Sequence, residues 1–202
     1  GKGVKGNSNT SLGNGAGMFQ HGNGNLSAGV SAGQGVYGDH NVMLGHKAST
    51  VGSAADAKIN RTVVIGSEAK AHFDDTVALG TEATAKHENS VALGHASVTS
   101  EAKAITEGSI VDSAGTTHTY SGFAGVGSKA NGAVSVGALG AERQIVNVAA
   151  GAITSSSTDA VNGSQLYGVA KGLNDQINNL DLGGGWVLGS KAADGTTDQD
   201  LT

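Results

Sequence analysis

The stretch Thr76-Val77-Ala78-Leu79-Gly80-Thr81-Glu82-Ala83 decides the fold of this chain, because copies of it lie on both sides. Ungapped copies run from Thr62 to Ala69 and from Ser90 to Ser97. The glycine that ends each apolar triplet, which we call the marker glycine, returns every 14 residues, at Gly66, Gly80 and Gly94. Self-similarity at a fixed period indicates a repeat architecture in which small units stack.

Each unit alternates with a period of two. The triplet Val77-Ala78-Leu79 would place its outer residues on one face and its central residue on the other, and Ala83-Thr84-Ala85 alternates again after the turn at Gly80. This pattern predicts two very short strands per unit. One unit cannot bury its own apolar face, whereas stacked units can. We therefore expect an all-β solenoid with Val, Leu and Ala inside and glycines at the corners.

Further copies extend the solenoid in both directions. Earlier copies, spaced by 16 residues, are Asn9–Gly13, Asn25–Gly29 and Asn41–Gly45, and a last copy is Ala133–Gly137. Ala28 stands where most copies have Leu or Ile, which predicts irregular N-terminal turns. Two insertions break the period, near residues 46–61 and 101–133. In the second, two β-prone segments flank Ser113-Ala114-Gly115, which predicts a hairpin that leaves the solenoid.

The pattern changes after residue 140. Thr158 and Asp159 are typical of a helix start. Beyond them an apolar seam follows the 4-3-4-3 spacing of a coiled coil, with Leu166, Ala170, Leu173, Ile177 and Leu180. The seam is about two heptads long and contains glycines that weaken a helix, so this segment needs partner helices. Gly183-Gly184-Gly185 is expected to end it, and residues 186–202 to begin a further module.

Composition excludes several classes of protein. The chain has 202 residues, 34 Gly, no Pro, no Cys and a net charge of −5. A Gly-X-Y period and Pro are both missing, which excludes collagen, and the lack of Cys excludes disulfides. The acidic balance argues against nucleic acid as a partner, and no apolar run reaches the length of a membrane helix. Without an initial Met or an apolar leader, we interpret the chain as an internal fragment.

Candidate catalytic and metal-binding residues have simpler interpretations. His46 and His95 share one repeat phase but lie several copies apart, so we interpret them as solvated turn residues. Asp74-Asp75 is interpreted as a solvated corner, and the Gly-x-Gly strings lack the Lys of a phosphate loop. We expect no cofactor and no enzymatic activity. Trimeric β-helix acyltransferases repeat every six residues rather than 14, and an ice-binding solenoid needs longer ranks of Thr than the sequence offers.

The repeats and the segment after them resemble a known family. The Ser/Thr-Val-Ala-Leu-Gly copies resemble the YadA-like head of trimeric autotransporter adhesins from Gram-negative bacteria. Glu142-Arg143-Gln144-Ile145-Val146-Asn147-Val148-Ala149-Ala150-Gly151, followed by Thr158 to Tyr167, resembles that family's neck. Residues 120–125 resemble a head insertion found just before the last repeat.

This resemblance implies a left-handed parallel β-roll head over residues 1–140, assembled as a homotrimer. The neck would then cover residues 141–165, a short α-helical coiled-coil stalk segment residues 166–182, and the truncated start of a further stalk module residues 183–202. The family implies a place on the outer membrane, through a C-terminal anchor absent from this sequence. It also implies binding of a host extracellular matrix protein, collagen-like or fibronectin-like, with autoagglutination and biofilm formation; a spacer without a ligand of its own is the alternative.

The resemblance also suggests site residues. The candidates for ligand contact, taken as exposed, are Asn89, Ser90, His95 and Ser97. The candidates for the neck and the trimer are Glu142, Arg143, Gln144, Leu166, Leu173, Ile177 and Leu180. We expect Arg143 to pair with a carboxylate or backbone carbonyl of a neighbouring chain, because an unpaired charge would be costly where three rolls meet.

Overall fold

A computed structural model describes residues 2–180, and the chain divides into two compact units, residues 1–144 and 145–202. The first unit consists of very short strands. Their bounds are β1 Thr10–Leu12, β2 Leu26–Ala28, β3 Val42–Leu44, β4 Ser49–Thr50, β5 Val63–Ile65, β6 Lys70–Ala71, β7 Val77–Leu79, β8 Thr84–Ala85, β9 Val91–Leu93, β10 Glu107–Val111, β11 Thr117–Ser121 and β12 Val134–Ser135.

The apolar triplets form one parallel sheet of seven strands in the order β1-β2-β3-β5-β7-β9-β12. The second strand of each coil contributes to a smaller parallel sheet, β4-β6-β8. Residues at the same position of successive copies pair directly, as Val63 does with Val77 and Val77 with Val91. The predicted β-roll is therefore present. The expected irregularity at Ala28 is wrong, because Ala28 pairs in register with both Leu12 and Leu44.

Only the central residue of each triplet points into the roll. Met43, Val64, Ala78 and Ala92 are completely buried, whereas the residues on either side of them are partly or largely exposed. The prediction that Val and Leu of the 14-residue copies lie inside is thus right for the central Val64 but wrong, in a single chain, for Leu79, Leu93 and the first valine of each triplet. A strand of three residues with a period of two can bury either its centre or its two ends, and the narrow roll has room only for the centre.

A second rank of buried side chains lies three residues after each marker glycine. Its members are Ala16, Ala32, Ala48, Ala69, Ala83 and Ser97, all essentially without solvent exposure. We call this the small-residue rank. The wider 16-residue coils also bury Gln20, Val36 and Met43, while the last 14-residue coils bury mainly alanine. Coil length therefore sets the size of the side chains that the core accepts.

Polar side chains precede the triplets and are also buried. Asn41 accepts the hydroxyl of Thr62 at 2.8 Å, and its own backbone N–H donates to the Asn25 side chain at 2.9 Å. Thr76 and Ser90 continue this rank in the following coils and are fully buried. Asn41 and Thr62 are satisfied by adjacent coils, whereas the hydroxyls of Thr76 and Ser90 donate to carbonyls two or three residues earlier in the chain. Bonded in this way, a buried amide or hydroxyl costs little free energy.

A ladder of Asn and Asp side chains follows one corner of the roll. Each side-chain oxygen accepts the backbone N–H of the residue one coil earlier, at 2.7–2.9 Å. The members are Asn7, Asn23, Asp39, Asn60 and Asp74. The backbone N–H of Asn23 that Asp39 accepts is the largest cause that holds the pKa of this carboxyl below its usual range. Asp74 is thus part of an ordered ladder rather than only a solvated corner.

The longer insertion contains the predicted hairpin, formed by β10 and β11. Asp112 orders its turn by accepting the backbone N–H groups of Ala114 at 2.9 Å and Thr116 at 2.8 Å. Both strands are almost entirely exposed in the chain.

The second unit has one described helix, α1, Gly163–Asn178. The predicted start at Thr158 and Asp159 is wrong, because Asn162 is the N-cap and forms a capping box with Gln165. Leu180 lies two residues beyond the end of the helix. The predicted glycine terminator at 183–185 and the further module at 186–202 lie outside the described residues.

We predict that Gly80→Ala destabilises the roll by roughly 2–4 kcal/mol. Gly80 has a φ of +134°, and an added Cβ would lie 2.5 Å from the carbonyl carbon of Gly94. Gly52→Ala is the matched control, since Gly52 also has a positive φ, +83°, but has open space around the added atom. Both variants place an alanine at a positive φ, but only Gly80→Ala adds a clash with the next coil, so its melting temperature should fall further than that of Gly52→Ala. An equal fall in the two melting temperatures would contradict the close stacking of coils.

We predict that acid weakens the Asn/Asp ladder. The pKa of the Asp39 carboxyl is lower in the folded state than in the unfolded state, where it is about 3.8. The ionised carboxyl therefore stabilises the folded state fully at pH values above about 3.8, and this stabilisation is lost as the pH falls through the folded-state pKa. Asp39→Asn keeps the acceptor oxygen and removes the titration, so its melting temperature should fall less below about pH 3.8 than that of the wild type. Asp56→Asn, in an exposed loop, is the control and should leave the wild-type pH profile unchanged.

Candidate binding surface and assembly faces

Two of the four candidate contact residues are exposed. Asn89 lies just before β9 and His95 just after it, so they occupy opposite corners of one coil. Asn89 donates from its side-chain amide to the carbonyl of Ala130 at 2.9 Å, and the His95 ring is 3.1 Å from the carbonyl of Thr81. Both can present polar atoms to a ligand, but the three-residue strand between them prevents them from forming one compact site.

The other two candidates, Ser90 and Ser97, are completely buried, so their predicted exposure is wrong. Ser90 continues the buried polar rank, and its hydroxyl donates to the carbonyl of Glu88 at 3.1 Å. Ser97 belongs to the small-residue rank, and its hydroxyl donates to the carbonyl of Leu93 at 2.7 Å. Both serines hold the roll together and are not available to a ligand on its surface.

A regular polar row lies along the corner that follows the marker glycines. His46, Ser67, Thr81 and His95 occupy the same position in successive coils, and Glu68 and Glu82 follow them as exposed neighbours. Parallel strands are spaced by about 4.8 Å, so His46 and His95, three coils apart, are separated by roughly 14 Å. Across the part of the chain that the structure describes, there is no group of three or more acidic or His side chains able to hold a metal ion.

A groove beside Asn89 is a feature that sequence patterns did not predict. It has a volume of about 610 Å³ and lies between a corner of the roll and the longer insertion, lined in part by Phe73, Lys86, Glu88, Glu101 and Lys129. An ion pair between Lys129 and Glu101 lowers the pKa of the carboxyl and raises that of the amine. The residues that line the groove are up to 57 positions apart, from Phe73 to Ala130, so no local sequence motif could predict it.

The neck candidates of the first unit differ in their surroundings. Glu142 accepts the backbone N–H of Gly140 at 2.9 Å, which lowers the pKa of its carboxyl, and Gln144 is exposed. The Arg143 guanidinium donates to the carbonyls of His95 at 2.5 Å and Val136 at 2.7 Å. Arg143 thus has two carbonyl acceptors within its own chain, and its pairing with a neighbouring chain stays a prediction.

In the second unit, the start of α1 is tied to the segment before it. The Gln165 side chain bonds both the N–H of Gly151, at 3.0 Å, and its carbonyl, at 2.6 Å. Asn162 donates from its side chain to the carbonyl of Val148 at 3.1 Å. These bonds give the neck segment a defined shape although it has little regular structure.

Two apolar faces are uncovered in the single chain. On the outer face of the seven-stranded sheet, Leu79 is 39% exposed, Leu93 42% and Leu12 71%. On α1 and just beyond it, more than half of each predicted seam leucine and of Ile177 is exposed; these residues are Leu166, Leu173, Ile177 and Leu180. Contiguous exposed apolar side chains mark interaction surfaces. None of the described helices is of a length and hydropathy that would let it cross a bilayer.

Two family models match the chain. The model described as "YadA head domain repeat (2 copies)" matches residues 60–83, 74–97 and 85–110. The model described as "Coiled stalk of trimeric autotransporter adhesin" matches residues 144–185. The first set covers the 14-residue coils, and the second covers the neck segment and α1.

Relatives of known name match shorter stretches. The sequence is 50% identical to the autotransporter adhesin BtaE of Brucella suis biovar 1 (strain 1330) over 74 residues. This alignment covers 37% of the present chain and 10% of BtaE. The sequence is 67% identical to the trimeric autotransporter adhesin AtaA of Acinetobacter sp. (strain Tol 5) over 33 residues. This alignment covers 16% of the present chain and 1% of AtaA. The chain thus spans only a small part of the length of these relatives.

Among solved structures, the C-terminal YadA-like domain of BPSL2063 from Burkholderia pseudomallei shares 44% sequence identity with the chain. The alignment covers 54% of this chain and 51% of that one, with a TM-score of 0.44.

The parallel roll, the matched head repeats and the matched stalk agree with each other. They show that the chain carries YadA head repeats at residues 60–110, followed at residues 144–185 by a segment of the coiled stalk of trimeric autotransporter adhesins.

Proposed function

We propose that this chain is the head of a cell-surface adhesin that binds a host extracellular matrix protein, collagen-like or fibronectin-like, and promotes autoagglutination and biofilm formation. The observation that supports this function best is the exposed polar row at the corners of the roll, repeated in register from coil to coil. A rod-like ligand can make the same weak contact at several coils, and these contacts add by avidity without a deep pocket.

We further propose that the active form is a parallel homotrimer. Burial of a leucine side chain stabilises an assembly by about 2 kcal/mol, and the outer face of the seven-stranded sheet exposes three of them, Leu12, Leu79 and Leu93. The seam of α1 exposes another row, with Leu166 and Leu173 two turns apart. The partners that would cover both faces are further copies of the same chain, since the stalk family is trimeric by its description.

In the proposed arrangement the head occupies residues 1–140, the neck 141–165, the stalk segment 166–182 and the start of a further stalk module 183–202. In this proposal a membrane anchor holds the protein in the outer membrane, and the head is displayed at the bacterial surface. Neither catalysis nor nucleic acid binding forms part of this proposal.

The proposed ligand surface includes Asn89, His95 and the corners that follow Gly66, Gly80 and Gly94. The groove beside Asn89 adds one apolar side chain, Phe73, next to two lysines and two glutamates. This combination suits a protein ligand, because a peptide supplies apolar and charged groups of both signs, whereas the net charge of −5 disfavours a sulfated glycan. A spacer without a ligand of its own is the alternative; it would assemble in the same way but capture no matrix protein.

We predict that the protein sediments as a trimer at micromolar concentration. Leu79→Glu together with Leu93→Glu should shift it toward monomer, because six carboxylates would replace apolar contacts across three chains. Thr81→Glu together with His46→Glu adds the same number of carboxylates at exposed corners of the roll and should leave the trimer intact. Sedimentation equilibrium measures both variants, and a monomeric wild type would refute the proposed assembly.

We predict that Asn89→Ala combined with His95→Ala weakens capture of immobilised collagen or fibronectin by at least about tenfold, equivalent to 1.4 kcal/mol. Both side chains are exposed, but Asn89 has a φ of +54° and bonds the Ala130 carbonyl, so a melting temperature lower by a few degrees is expected, without loss of the fold. The measurement is solid-phase binding of the purified protein, with thermal melting in parallel.

Asn14→Ala combined with His46→Ala is the matched control, since it removes the same residue types from exposed corners of other coils. Loss of capture only in the first pair supports a ligand surface around β9. Full capture in both pairs would contradict that surface and direct attention to the hairpin near Gly115. No capture of any matrix protein by the trimeric wild type would favour the spacer.

A further inference from the structure

The last coil of the roll lacks the hydrogen-bond donors that every earlier coil receives from its successor. In each earlier coil the carbonyl that follows the marker glycine accepts an N–H from the next coil. Thr81 accepts from Ala96, Ser67 from Glu82 and His46 from Glu68, each at 2.8 Å. His95 is the next member of this row, and the chain does not supply a further coil beside it.

A second row of carbonyls ends at the same place. The residue before each marker glycine accepts the N–H of the following marker glycine, as Leu79 does from Gly94 at 2.7 Å and Ile65 from Gly80 at 2.8 Å. Leu93 is the next member. Strand β12 pairs with β9 only through Val134 and Ser135, and an antiparallel bridge between Ala138 and Ala141 then reverses the chain. Within residues 2–144, no backbone N–H reaches the carbonyls of Leu93 and His95.

Side chains take the place of these missing donors. The Ser97 hydroxyl donates to the Leu93 carbonyl at 2.7 Å, and Arg143 Nη2 donates to the His95 carbonyl at 2.5 Å. Arg143 Nη1 joins the two groups by donating to Ser97 Oγ at 2.9 Å and to the Val136 carbonyl at 2.7 Å. The two carbonyls that end these rows, those of Leu93 and His95, are thus both bonded by side chains.

The Arg143 guanidinium lies where the marker glycine of a further coil would otherwise lie. An added Cβ on Gly66 would lie 2.3 Å from the carbonyl oxygen of Gly80 in the following coil, because successive marker glycines stack closely. At Gly94 the nearest atoms to the added Cβ are instead Arg143 Nη1 and Ser97 Oγ, both at 3.4 Å. The planar guanidinium therefore lies against the last marker glycine where the next coil would otherwise lie.

The small-residue rank independently supports a special role of Ser97 at the last coil. Its first five members are alanines, and only the last, Ser97, carries a hydroxyl. A hydroxyl in a fully buried rank of alanines is costly unless it is bonded. Here it is bonded as donor and as acceptor, and the exception occurs in the one coil whose carbonyl needs a donor.

We propose that Ser97 and Arg143 form an end cap that terminates the β-roll, replaces the hydrogen bonds of a further coil and closes the open edge of the last coil. An open edge of unpaired carbonyls and N–H groups is a template for pairing with another chain. The cap fills this edge with one buried hydroxyl and one guanidinium. It is a feature of the monomer fold and depends neither on a ligand nor on the trimer.

The test is amide hydrogen exchange combined with thermal melting of Ser97→Ala, Arg143→Gln and the double variant, all in the full chain. The amides of Gly94 and Ala96 bond the last coil to its predecessor. Loss of the cap should let this coil fray, with exchange at these two amides at least about tenfold faster and a melting temperature lower by roughly 5 °C. The amides of Gly66 and Glu68, two coils away, should keep their protection.

The melting temperature of the double variant should be close to that of the less stable single variant, because the serine and the arginine act through one bonded unit. Arg61→Gln removes the same charge from another corner, where Arg61 pairs with Asp75 at 2.6 Å, and should not alter exchange at Gly94 and Ala96. If Arg143→Gln does not fold, Arg143→Lys replaces it, since a single amine cannot reproduce the two-nitrogen fork.

Two outcomes would overturn the proposal. One is that Ser97→Ala melts at the same or a higher temperature with unchanged exchange, since alanine is the ordinary residue of this rank. The other is that the effects of the two single variants add fully, which would show that the serine and the arginine act separately.

Discussion

The close approach of successive coils at the marker glycines is the constraint on which the rest of this structure depends. The added Cβ of Gly45 would meet the carbonyl oxygen of Gly66 at 2.6 Å, and that of Gly66 would meet Gly80 at 2.3 Å. A side chain at these corners would push the coils apart and break the backbone bonds between them. With glycine there, the corner amides and carbonyls meet at ordinary hydrogen-bond distances, as between Gly80 and Ile65 at 2.8 Å.

Tight corners leave very short strands, and short strands decide what is inside. Only the central residue of each triplet is buried, so the core of the last coils consists largely of alanines such as Ala78 and Ala92. Such a core buries little apolar area for each residue that it orders, while conformational entropy opposes folding at every residue. The valines and leucines on both sides of the central residue face outward. The apolar area that one chain leaves uncovered is available for assembly with others.

The roll is ordered by polar groups as much as by apolar ones. Asn41 and Thr62 bond each other inside the roll, and Asp39 and Asn60 bond the backbone at a corner. These groups fix the register, since a shift by one residue would leave each of them without a partner. A rigid register is what allows exposed side chains such as Thr81 and His95 to form a regular row on the surface.

The sequence by itself determined the repeat, the marker glycines, the hairpin and the family resemblance, because these depend on short-range patterns that recur with a fixed period. The parallel pairing of Val77 with Val91 follows directly from that period. The sequence did not reveal which side of each strand is buried, since an alternating triplet is compatible with either. For the same reason the exposure of Ser90 and Ser97 was predicted wrongly.

Only the tertiary structure decided how distant segments meet. The groove beside Asn89 unites Phe73 with Lys129, and the end of the roll unites Ser97 with Arg143, 46 positions later. The helix has its N-cap at Asn162 rather than at the predicted Thr158. The capping box with Gln165, and the bonds of the Gln165 side chain to Gly151, favour this later start. The first two contacts join residues that no local propensity links, so the folded chain was needed to identify them. The capping box is a local signal, because Asn162 and Gln165 are only three residues apart, and it was overlooked at the level of the sequence.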